Sequence, residues 1–201
     1  PSDNLYELSV FKNGDTATIS LRGGSTSGAS LCDTIFNSID ISETITFTNV
    51  RCINDVEGSD LPEKSQFIAE HKVKYVLTHN LGVMDRKSYL PEDAAVSVVY
   101  DFFHQAQNTL KAAGVKNSQI FFDIGLGFGK SHETAKCLIE AMPEMRSRLG
   151  LKSLVGHSRK PSALGVDGNV TIEQLDQATH RLSHWLAYHG ADILRLHQIK
   201  S

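Results

Sequence analysis

Five short apolar segments of the chain each end in polar residues of the types that bind or activate small molecules. These polar clusters are Asn54–Asp55, Thr78–Asn80, Asp123–Lys130, Gly156–Lys160 and Arg195–His197. In parallel α/β folds, the residues that do chemistry lie just past the carboxyl ends of strands, where loops meet helix N-termini. If the five segments are strands of one barrel, we expect their polar residues to converge on a single mouth.

The residue types restrict the ligand that such a mouth could hold. Asn54 has an amide that both donates and accepts, and Asp123 has a carboxylate that only accepts. Together they suit a planar heterocycle with alternating N–H and carbonyl groups. Arg159 or Lys160 could supply a charge or a donor to a ring nitrogen or carbonyl.

Two further groups extend this interpretation beyond the ring. Arg195 and His197 are two residues apart on the last predicted strand, so they would share a face and could clamp a phosphate. The glycines of Gly125–Gly129 allow a tight backbone path beside a ligand, and Phe128 within this loop could cover a flat ring. The pattern therefore predicts a pocket for a heterocycle with a phosphate at one side.

The same residues allow other interpretations. The glycine loop is not a phosphate-binding P-loop, because the position that needs glycine is Ile124, and its spacing also fails the dinucleotide fingerprint. A plain turn after a strand stays open. Ser158–Lys160 precedes Pro161 and could be a solvated basic turn, in which Arg159 is structural rather than catalytic.

The histidines on the last predicted helix invite a metal-site interpretation. His180, His184 and His189 are spaced by four and five residues, which drifts around a helix, and no carboxylate partner is obvious. We therefore expect a solvated or interface face and no protein metal site. Trp185 is expected to pack in the core or at a dimer interface, and His157 could be a surface residue.

The elements that must position these residues alternate between short β-branched runs and longer helical stretches, which is typical of a parallel α/β fold. We predict strands at Thr16–Leu21, Thr44–Val50, Cys52–Val56, Lys74–Thr78, Gln119–Ile124, Ser153–Gly156 and Asp192–Leu196, and helices at Asp93–Ala113, His132–Arg148 and Ile172–His189. Helices are fewer than strands, so the expected fold is a TIM-type (β/α)8 barrel, incomplete at the N-terminal side. Residues 1–201 are expected to form one domain, of which 1–50 are atypical.

Composition narrows the class of partner. The 201 residues are 40% hydrophobic and 21% charged with a net charge of −3, which suits one globular domain without the broad positive field that nucleic acid or an anionic membrane selects. No apolar run approaches the roughly 20 residues of a membrane span. The three cysteines form no CxxC pair and no basic-then-apolar leader opens the chain, so we expect a cytoplasmic protein.

The five segments resemble elements of dihydropteroate synthase, in that family's order. DIGLGFGK (123–130) is similar to its D-P-G-x-G-F-G-K element, LVGHSRK (154–160) to L-V-G-x-S-R-K, and LRLHQI (194–199) to V-R-V-H-D. CINDV (52–56) and LTHN (77–80) are similar to its I-N-D-V and L-M-H-N strands. These ordered matches span about three-quarters of the chain.

The resemblance implies a transferase that joins 6-hydroxymethyl-7,8-dihydropterin pyrophosphate to p-aminobenzoate and releases pyrophosphate, with Mg²⁺ as the usual companion of that anion. It implies that Lys160, Arg195 and His197 are the catalytic residues, the last two by holding the pyrophosphate. The residues implied to bind the substrates are Asn54, Asp123, Phe128, Gly156, Lys160, Ser25 and Thr26. It further implies a homodimer, a sulfonamide target and a possible fusion to a pyrophosphokinase domain.

The N-terminal third departs from the family's pattern. Residues 1–15 hold no counterpart of the N-V-T-P-D-S-F loop that supplies a metal-binding asparagine, and Gly23–Gly28 keeps Ser25 and Thr26 but lacks the usual arginine and proline. An Asp from a third strand should contact the pterin, and the candidates are Asp33, Asp40 and the strand around Thr46–Asn49. Thr78 stands where the family usually has a methionine.

Two explanations of this departure stay open: a divergent N-terminal third, or an intact polypeptide that is longer than this chain and active. Two other functions are also open. One is a non-catalytic pterin-binding homologue or scaffold. The other is a methyltetrahydrofolate-binding methyltransferase domain, which the S-R-K and R-x-H elements disfavour because no pyrophosphate leaves in that reaction.

Overall fold

The structure of the chain is a computed structural model, which describes residues 6–13, 16–23, 52–58, 61–81, 90–166 and 168–197. Side chains are described from Cys52 onward, apart from that of Glu63. The predictions made for Ser25, Thr26 and the strand Thr44–Val50 therefore lie outside the described residues.

A seven-stranded sheet forms the centre of the described structure. Its strands are β1 (Tyr6–Asn13), β2 (Thr16–Gly23), β3 (Cys52–Asp55), β4 (Lys74–Thr78), β5 (Ile120–Asp123), β6 (Lys152–Val155) and β7 (Ile193–Leu194). They are ordered β2-β1-β3-β4-β5-β6-β7, and every neighbouring pair is parallel except the antiparallel pair β1 and β2. The carboxyl ends of the parallel strands therefore meet at one edge of the sheet.

Helices connect the parallel strands from β3 onward. They are α1 (Leu61–His71), α2 (Glu92–Ala112), α3 (His132–Leu149), α4 (Pro161–Leu164) and α5 (Ile172–Tyr188), with a single 3₁₀ turn at Asn117–Gln119 before β5. The helix starts are locally encoded, because the Ser131 side chain accepts from the Thr134 N–H at 3.1 Å and Thr171 forms a capping box with Gln174. These two caps fix the residues at which α3 and α5 begin.

The two faces of the sheet are packed differently because successive side chains of a strand point to opposite sides. Tyr75, Leu77, Phe122 and Val155 face the helices and belong to the large core between sheet and helices. On the opposite, inner face, Val76, Phe121 and Leu154 form a small separate apolar cluster with Cys52 packed against it. Two positions further along the inner face, β3, β4 and β5 have the polar residues Asn54, Thr78 and Asp123, and β6 is followed by Gly156.

Most predicted elements are confirmed within two residues of their expected ends, and β4 matches at both ends. Two features differ. Helix α1 was not predicted, because Pro62 follows its first residue and few of its side chains are buried, with Ile68 the main apolar anchor. Strand β1 was also unexpected, and its antiparallel pairing with β2 departs from the alternation of strands and helices.

The predicted convergence of all polar strand ends is wrong for Asp55. Its carboxylate lies on the outer side, where it accepts hydrogen bonds from the Tyr75 hydroxyl at 2.5 Å, from Lys64 Nζ at 2.8 Å and from the N–H groups of Glu57 and Gly58 at 3.0 Å. Burial raises the pKa of Asp55, but the hydrogen bonds from Lys64 and Tyr75 outweigh it and leave the pKa below its ordinary value. Asp55 thus joins β3, β4 and α1.

This network predicts how stability depends on pH. Because the pKa of Asp55 is lowered by folding, its carboxylate contributes stability above its unfolded pKa of about 4, and that contribution is lost as pH falls through the folded pKa. We expect Asp55→Asn to lower the free energy of unfolding by about 1–3 kcal/mol at pH 7 and by less at pH 3. Urea unfolding at several pH values measures this difference.

The matched control for that measurement is Glu144→Gln. Glu144 is an exposed carboxylate paired with Arg148 on one helix, where a charge contributes little to stability. Its variant should follow the wild-type pH profile, and the same cost for Asp55→Asn at both pH values would contradict the role assigned to the Asp55 charge.

Candidate functional site

Three buried polar side chains lie side by side on the inner face at the carboxyl edge of the sheet. Asn54, Thr78 and Asp123 expose 2%, 0% and 1% of their surfaces. Thr78 on β4 pairs in register with Asp123 on β5, and Asn54 on β3 pairs with Val76, two residues below Thr78. The structure therefore brings the predicted Asn54 and Asp123 to one floor, with Thr78 between their strands.

Asp123 is held in a fixed orientation. One carboxylate oxygen accepts the Gly125 N–H at 2.9 Å, and the Asp123 backbone carbonyl accepts the His79 N–H at 3.0 Å. The other carboxylate oxygen accepts from no residue in the part of the chain that the structure describes. The sheet and the following turn thus fix the direction of the second carboxylate oxygen, which can only accept hydrogen bonds while Asp123 is ionised.

The glycine loop after β5 is pressed against the end of β4. Gly125 has a φ of +69°, and a side chain there would place its Cβ 1.9 Å from the His79 carbonyl oxygen, so only glycine fits. The same carbonyl accepts a hydrogen bond at 3.0 Å from Lys130 Nζ, which also donates to the Phe128 carbonyl at 3.0 Å. Lys130 closes the loop from within and is 1% exposed.

Lys160 approaches this loop from the next strand end. Its Nζ donates to the Leu126 carbonyl at 2.5 Å and lies 4.7 Å from the centre of the Phe128 ring. Its Cδ is 3.1 Å from the position that a Cβ on Gly127 would take, so this glycine allows the lysine to lie along the loop. Phe128 and Lys160, both predicted site residues, are thus in contact as a cation over a ring.

The protonation of the two lysines reflects one shared environment. Burial lowers the pKa of Lys130 to about 7 and that of Lys160 to about 8. The negative charge of Asp123 raises the pKa of both lysines and so opposes the effect of burial. A cationic neighbour lowers each pKa further, Lys160 that of Lys130 and Arg195 that of Lys160. Asp123, Lys160 and Arg195 therefore belong to a single electrostatic cluster.

Arg195 crosses the end of β6 over a glycine. A Cβ on Gly156 would lie 2.8 Å from Arg195 Nη2 and 3.2 Å from its Nε, so the absent side chain makes room for the guanidinium. The Arg195 N–H donates to the Val155 carbonyl at 3.0 Å, which fixes the backbone at this point. Gly156 thus makes room for Arg195, whereas its contact with substrate stays a prediction.

His197 is held near the end of β6 by its contacts with Ser158. Its ring Nδ1 lies 2.9 Å from Ser158 Oγ, and its backbone N–H donates to that oxygen at 3.2 Å. We expected Arg195 and His197 to share a face because they would lie two residues apart on the last strand. That reason is wrong, because β7 ends at Leu194 and both residues follow it. Ser158, rather than strand alternation, holds the exposed His197.

Two neighbours of the cluster turn away from it. Arg159 has a φ of +56° and makes two hydrogen bonds to Asp176 of α5, at 2.7 and 2.9 Å, which confirms the structural interpretation of this arginine. His157 is fully buried, with Nε2 2.8 Å from Ser183 Oγ, so its interpretation as a surface residue is wrong. Both side chains anchor the loop to α5.

The helix histidines form no metal cluster. His180 and His184 are exposed and contact each other edge to face, while His189 stacks on Trp185 with ring centres 3.7 Å apart. Trp185 packs against the core as expected. Across residues 52–197, outside the gaps in that range, no group of three or more histidine, cysteine or acidic residues is placed to hold a metal ion.

Sequence reasoning missed the role of Lys130. A lysine that ends a glycine loop is ordinarily solvated, and only its position beside a strand-end carbonyl shows that it is buried. Thr78 was noted as a departure from a family pattern and not as a site residue. The signal that could have found it is its place two residues after Val76 on the inner face.

The described residues place buried polar side chains and three cationic ones together at the carboxyl edge of a parallel α/β sheet, an arrangement typical of α/β enzymes. Residues 38–197 match the pterin binding enzyme family, and the chain belongs to that family. Dihydropteroate synthase type-3 from Escherichia coli is 31% identical over 154 residues, which are 74% of this chain and 58% of that protein.

A second relative is the folate synthesis bifunctional protein of Chlamydia caviae, 29% identical over 84% of this chain and 37% of that protein. Among solved structures, dihydropteroate synthase from Anaplasma phagocytophilum with bound 6-hydroxymethylpterin-monophosphate has a TM-score of 0.66 and 30% identity, covering 75% of this chain and 59% of that chain. The likeness confirms the expected fold class, a TIM-type α/β barrel, whereas the expectation that it is incomplete at its N-terminal side stays a prediction.

The chain spans less than two thirds of the length of these relatives. Within the described residues, no helix has the length and apolar character that crossing a membrane requires.

The contact between Gly156 and Arg195 generates a prediction about stability. Gly156→Ala should lower the free energy of unfolding by about 1 kcal/mol, because the added methyl group overlaps the guanidinium at the end of the Arg195 side chain, which must shift. In an Arg195→Ala background the same change should cost less than about 0.5 kcal/mol. Denaturant unfolding of the four proteins of this cycle measures the coupling, and equal costs in both backgrounds would contradict the placement of Arg195.

The lowered pKa of Lys160 generates a second prediction. As pH rises through about 8, the ammonium group loses its proton, so affinity for inorganic pyrophosphate should decline between pH 7 and pH 9. Lys160→Arg keeps a protonated side chain across this range and should show a flatter profile. Isothermal titration at several pH values tests this, and parallel profiles for the two proteins would show that another group governs the decline.

Proposed function

We propose that this protein acts as a dihydropteroate synthase-like transferase. It would condense 6-hydroxymethyl-7,8-dihydropterin pyrophosphate with p-aminobenzoate and release pyrophosphate. The observation that carries the proposal is the electrostatic cluster of Asp123, Lys160 and Arg195, which combines a buried acceptor with two cations in one site. A ligand whose ring donates hydrogen bonds would match the Asp123 carboxylate, and its anionic tail would match the two cations.

The pterin ring would bind to the floor of the site. Asp123 would accept from the ring N–H and amino groups with the carboxylate oxygen that Gly125 does not occupy. Asn54 lies on β3, two strands away from Asp123 on β5. Its amide would provide a donor and an acceptor for the rest of the polar edge of the ring. Since both side chains are almost fully buried, these hydrogen bonds would form in a region of low polarity, where they discriminate strongly against rings that lack the matching groups.

The leaving pyrophosphate would lie on the cationic side. In the reaction the bond between the pterin methylene carbon and the pyrophosphate oxygen breaks, and the electron pair leaves with the pyrophosphate. Arg195, His197 and Lys160 would stabilise the charge that develops there, each contributing roughly 2–4 kcal/mol to the transition state. The arylamine nitrogen then bonds to the methylene carbon and loses one proton.

The position of Lys160 suits a group between the two substrates. Its ammonium lies against Phe128 and the Leu126 carbonyl, at the rim of the glycine loop, while its charge acts on Asp123 within the site. It would contact the pterin and border the path of the incoming amine. Ser25 and Thr26 would complete the p-aminobenzoate side.

In this proposal Mg²⁺ would be bound by the pyrophosphate and not by the protein. The carboxylate of the site, Asp123, already has Lys130 and Lys160 as cationic neighbours, which disfavour a further cation beside it. The described residues therefore do not fit a protein-held magnesium site, and no step of the reaction is assigned to one. A homodimer, a cytoplasmic location and sulfonamide binding stay predictions from the resemblance, as does a fused pyrophosphokinase domain, although one relative is named as bifunctional.

A pyrophosphate-release assay on the full polypeptide with both substrates tests the proposal. Wild type should release pyrophosphate only when the pterin substrate and p-aminobenzoate are both present. Lys160→Ala and Arg195→Ala should each lower kcat/KM by about 100-fold or more, since each removes a charge from the developing anion.

Matched controls are Lys152→Ala and Arg181→Ala, because both side chains are exposed and neither residue contributes to the site. They should retain wild-type turnover. Pterin binding without release by wild type would instead support a non-catalytic homologue, and binding of methyltetrahydrofolate in place of the pterin pyrophosphate would support the methyltransferase alternative.

A further inference from the structure

The hydroxyl group of Thr78 is an exception among the buried hydroxyl groups of the described residues. Thr78 is 0% exposed, and its Oγ1 has no hydrogen-bond partner in the described part of the chain. A buried hydroxyl without a partner costs free energy relative to a methyl group of the same shape. A site that retains such a group invites an explanation from function.

All the other buried serine and threonine side chains in the described ranges have hydrogen bonds. Thr134 donates to the Leu90 carbonyl at 2.8 Å, and Ser183 donates to the Thr179 carbonyl at 2.7 Å. The remaining ones, each with a partner between 2.7 and 3.3 Å, are Ser65, Ser153, Ser158 and Thr179. The fold therefore satisfies its buried hydroxyls as a rule, and Thr78 alone departs from it within these residues.

The position of Thr78 explains what its hydroxyl could meet. Strand β4 lies between β3 and β5, and Thr78 pairs in register with Asp123 while Asn54 lies diagonally across on β3. All three side chains belong to the inner face, because Val76 of the apolar cluster is two residues before Thr78. The hydroxyl thus belongs to the floor of the candidate site, between an amide and a carboxylate.

The chemistry of a threonine fits this place. Its side chain is branched at Cβ, so the rotamer is restricted and the hydroxyl is held in one direction without help from a neighbour. A hydroxyl can donate and accept, whereas Asp123 can only accept. The floor therefore offers the Asp123 carboxylate as an acceptor, the Thr78 hydroxyl as a donor or acceptor, and the Asn54 amide. Such a row of groups matches a ring edge that has an amino group, an N–H and a carbonyl.

We propose that Thr78 is a specificity-determining residue whose hydroxyl hydrogen-bonds the 2-amino-4-oxopyrimidine edge of the bound ligand, between Asp123 and Asn54. The inference rests on the proposed function, since it assigns a further contact to the same pterin site. It accounts for the lone unsatisfied hydroxyl, because the ligand supplies the partner that the protein does not. Rings that lack this polar edge would leave the group unpaired and would be rejected.

Thr78→Val tests the inference, because valine keeps the branched shape and removes only the hydroxyl. Its affinity for 6-hydroxymethylpterin, measured by isothermal titration on the full polypeptide, should fall about tenfold, and Thr78→Ser should stay within about threefold of wild type. The thermal midpoint of the unliganded Thr78→Val protein should equal or exceed that of wild type, since a group without a partner is removed.

The matched control is Thr134→Val, which deletes a buried hydroxyl that does have a partner. It should lower the thermal midpoint without changing pterin affinity, the reverse of the result expected for Thr78→Val. The combination of weaker binding and undiminished stability separates a ligand contact from a structural role.

The outcomes are distinguishable. If wild type binds 6-hydroxymethylpterin and Thr78→Val binds it within twofold, the inference is overturned and the proposed function stands. A loss of thermal stability in unliganded Thr78→Val as large as that in Thr134→Val also overturns it, because the hydroxyl then has a partner within the protein. If wild type does not bind the pterin at all, the proposed function fails and the inference fails with it.

Discussion

The contact between the glycine loop and the end of β4 is the constraint on which the site depends. The Gly125 backbone lies so close to the His79 carbonyl that any side chain would overlap it, and the Lys130 ammonium binds that same carbonyl. This contact sets the path of the loop, so the Asp123 carboxylate receives the Gly125 N–H and the Phe128 ring is carried to the rim. Lys160 then lies along the loop in close contact with Gly127, where a side chain would force it to shift by a few tenths of an ångström.

Charge balance within the site follows from this packing. Two lysines with lowered pKa values and one arginine surround one carboxylate, so the protein alone leaves an excess of positive charge in a poorly hydrated place. Unbalanced positive charge is unfavourable in such a place, and the net charge of −3 for the chain gives no sign of it.

The sequence was sufficient for the parallel strands and their helices from residue 74 onward, because apolar periodicity and helix caps are local signals. It was also sufficient to name Asn54, Asp123, Lys160 and Arg195. It could not show which of two adjacent polar residues faces the site, since that depends on strand register, and Asp55 proved to face the helices. The burial of Lys130 was equally hidden, because it results from a contact between residues 51 positions apart.

The loop after β6 alternates in its attachments. The side chains of His157 and Arg159 form hydrogen bonds with α5. Ser158 instead contacts His197, and Lys160 donates a hydrogen bond to the glycine loop. A lysine side chain that becomes ordered loses up to about 2 kcal/mol of rotational freedom. In this protein much of that loss is incurred when the chain folds, so Lys160 is preorganised and a ligand need not immobilise it. The attachment of this loop to a helix on the outer side of the sheet thereby fixes the backbone from which Lys160 extends.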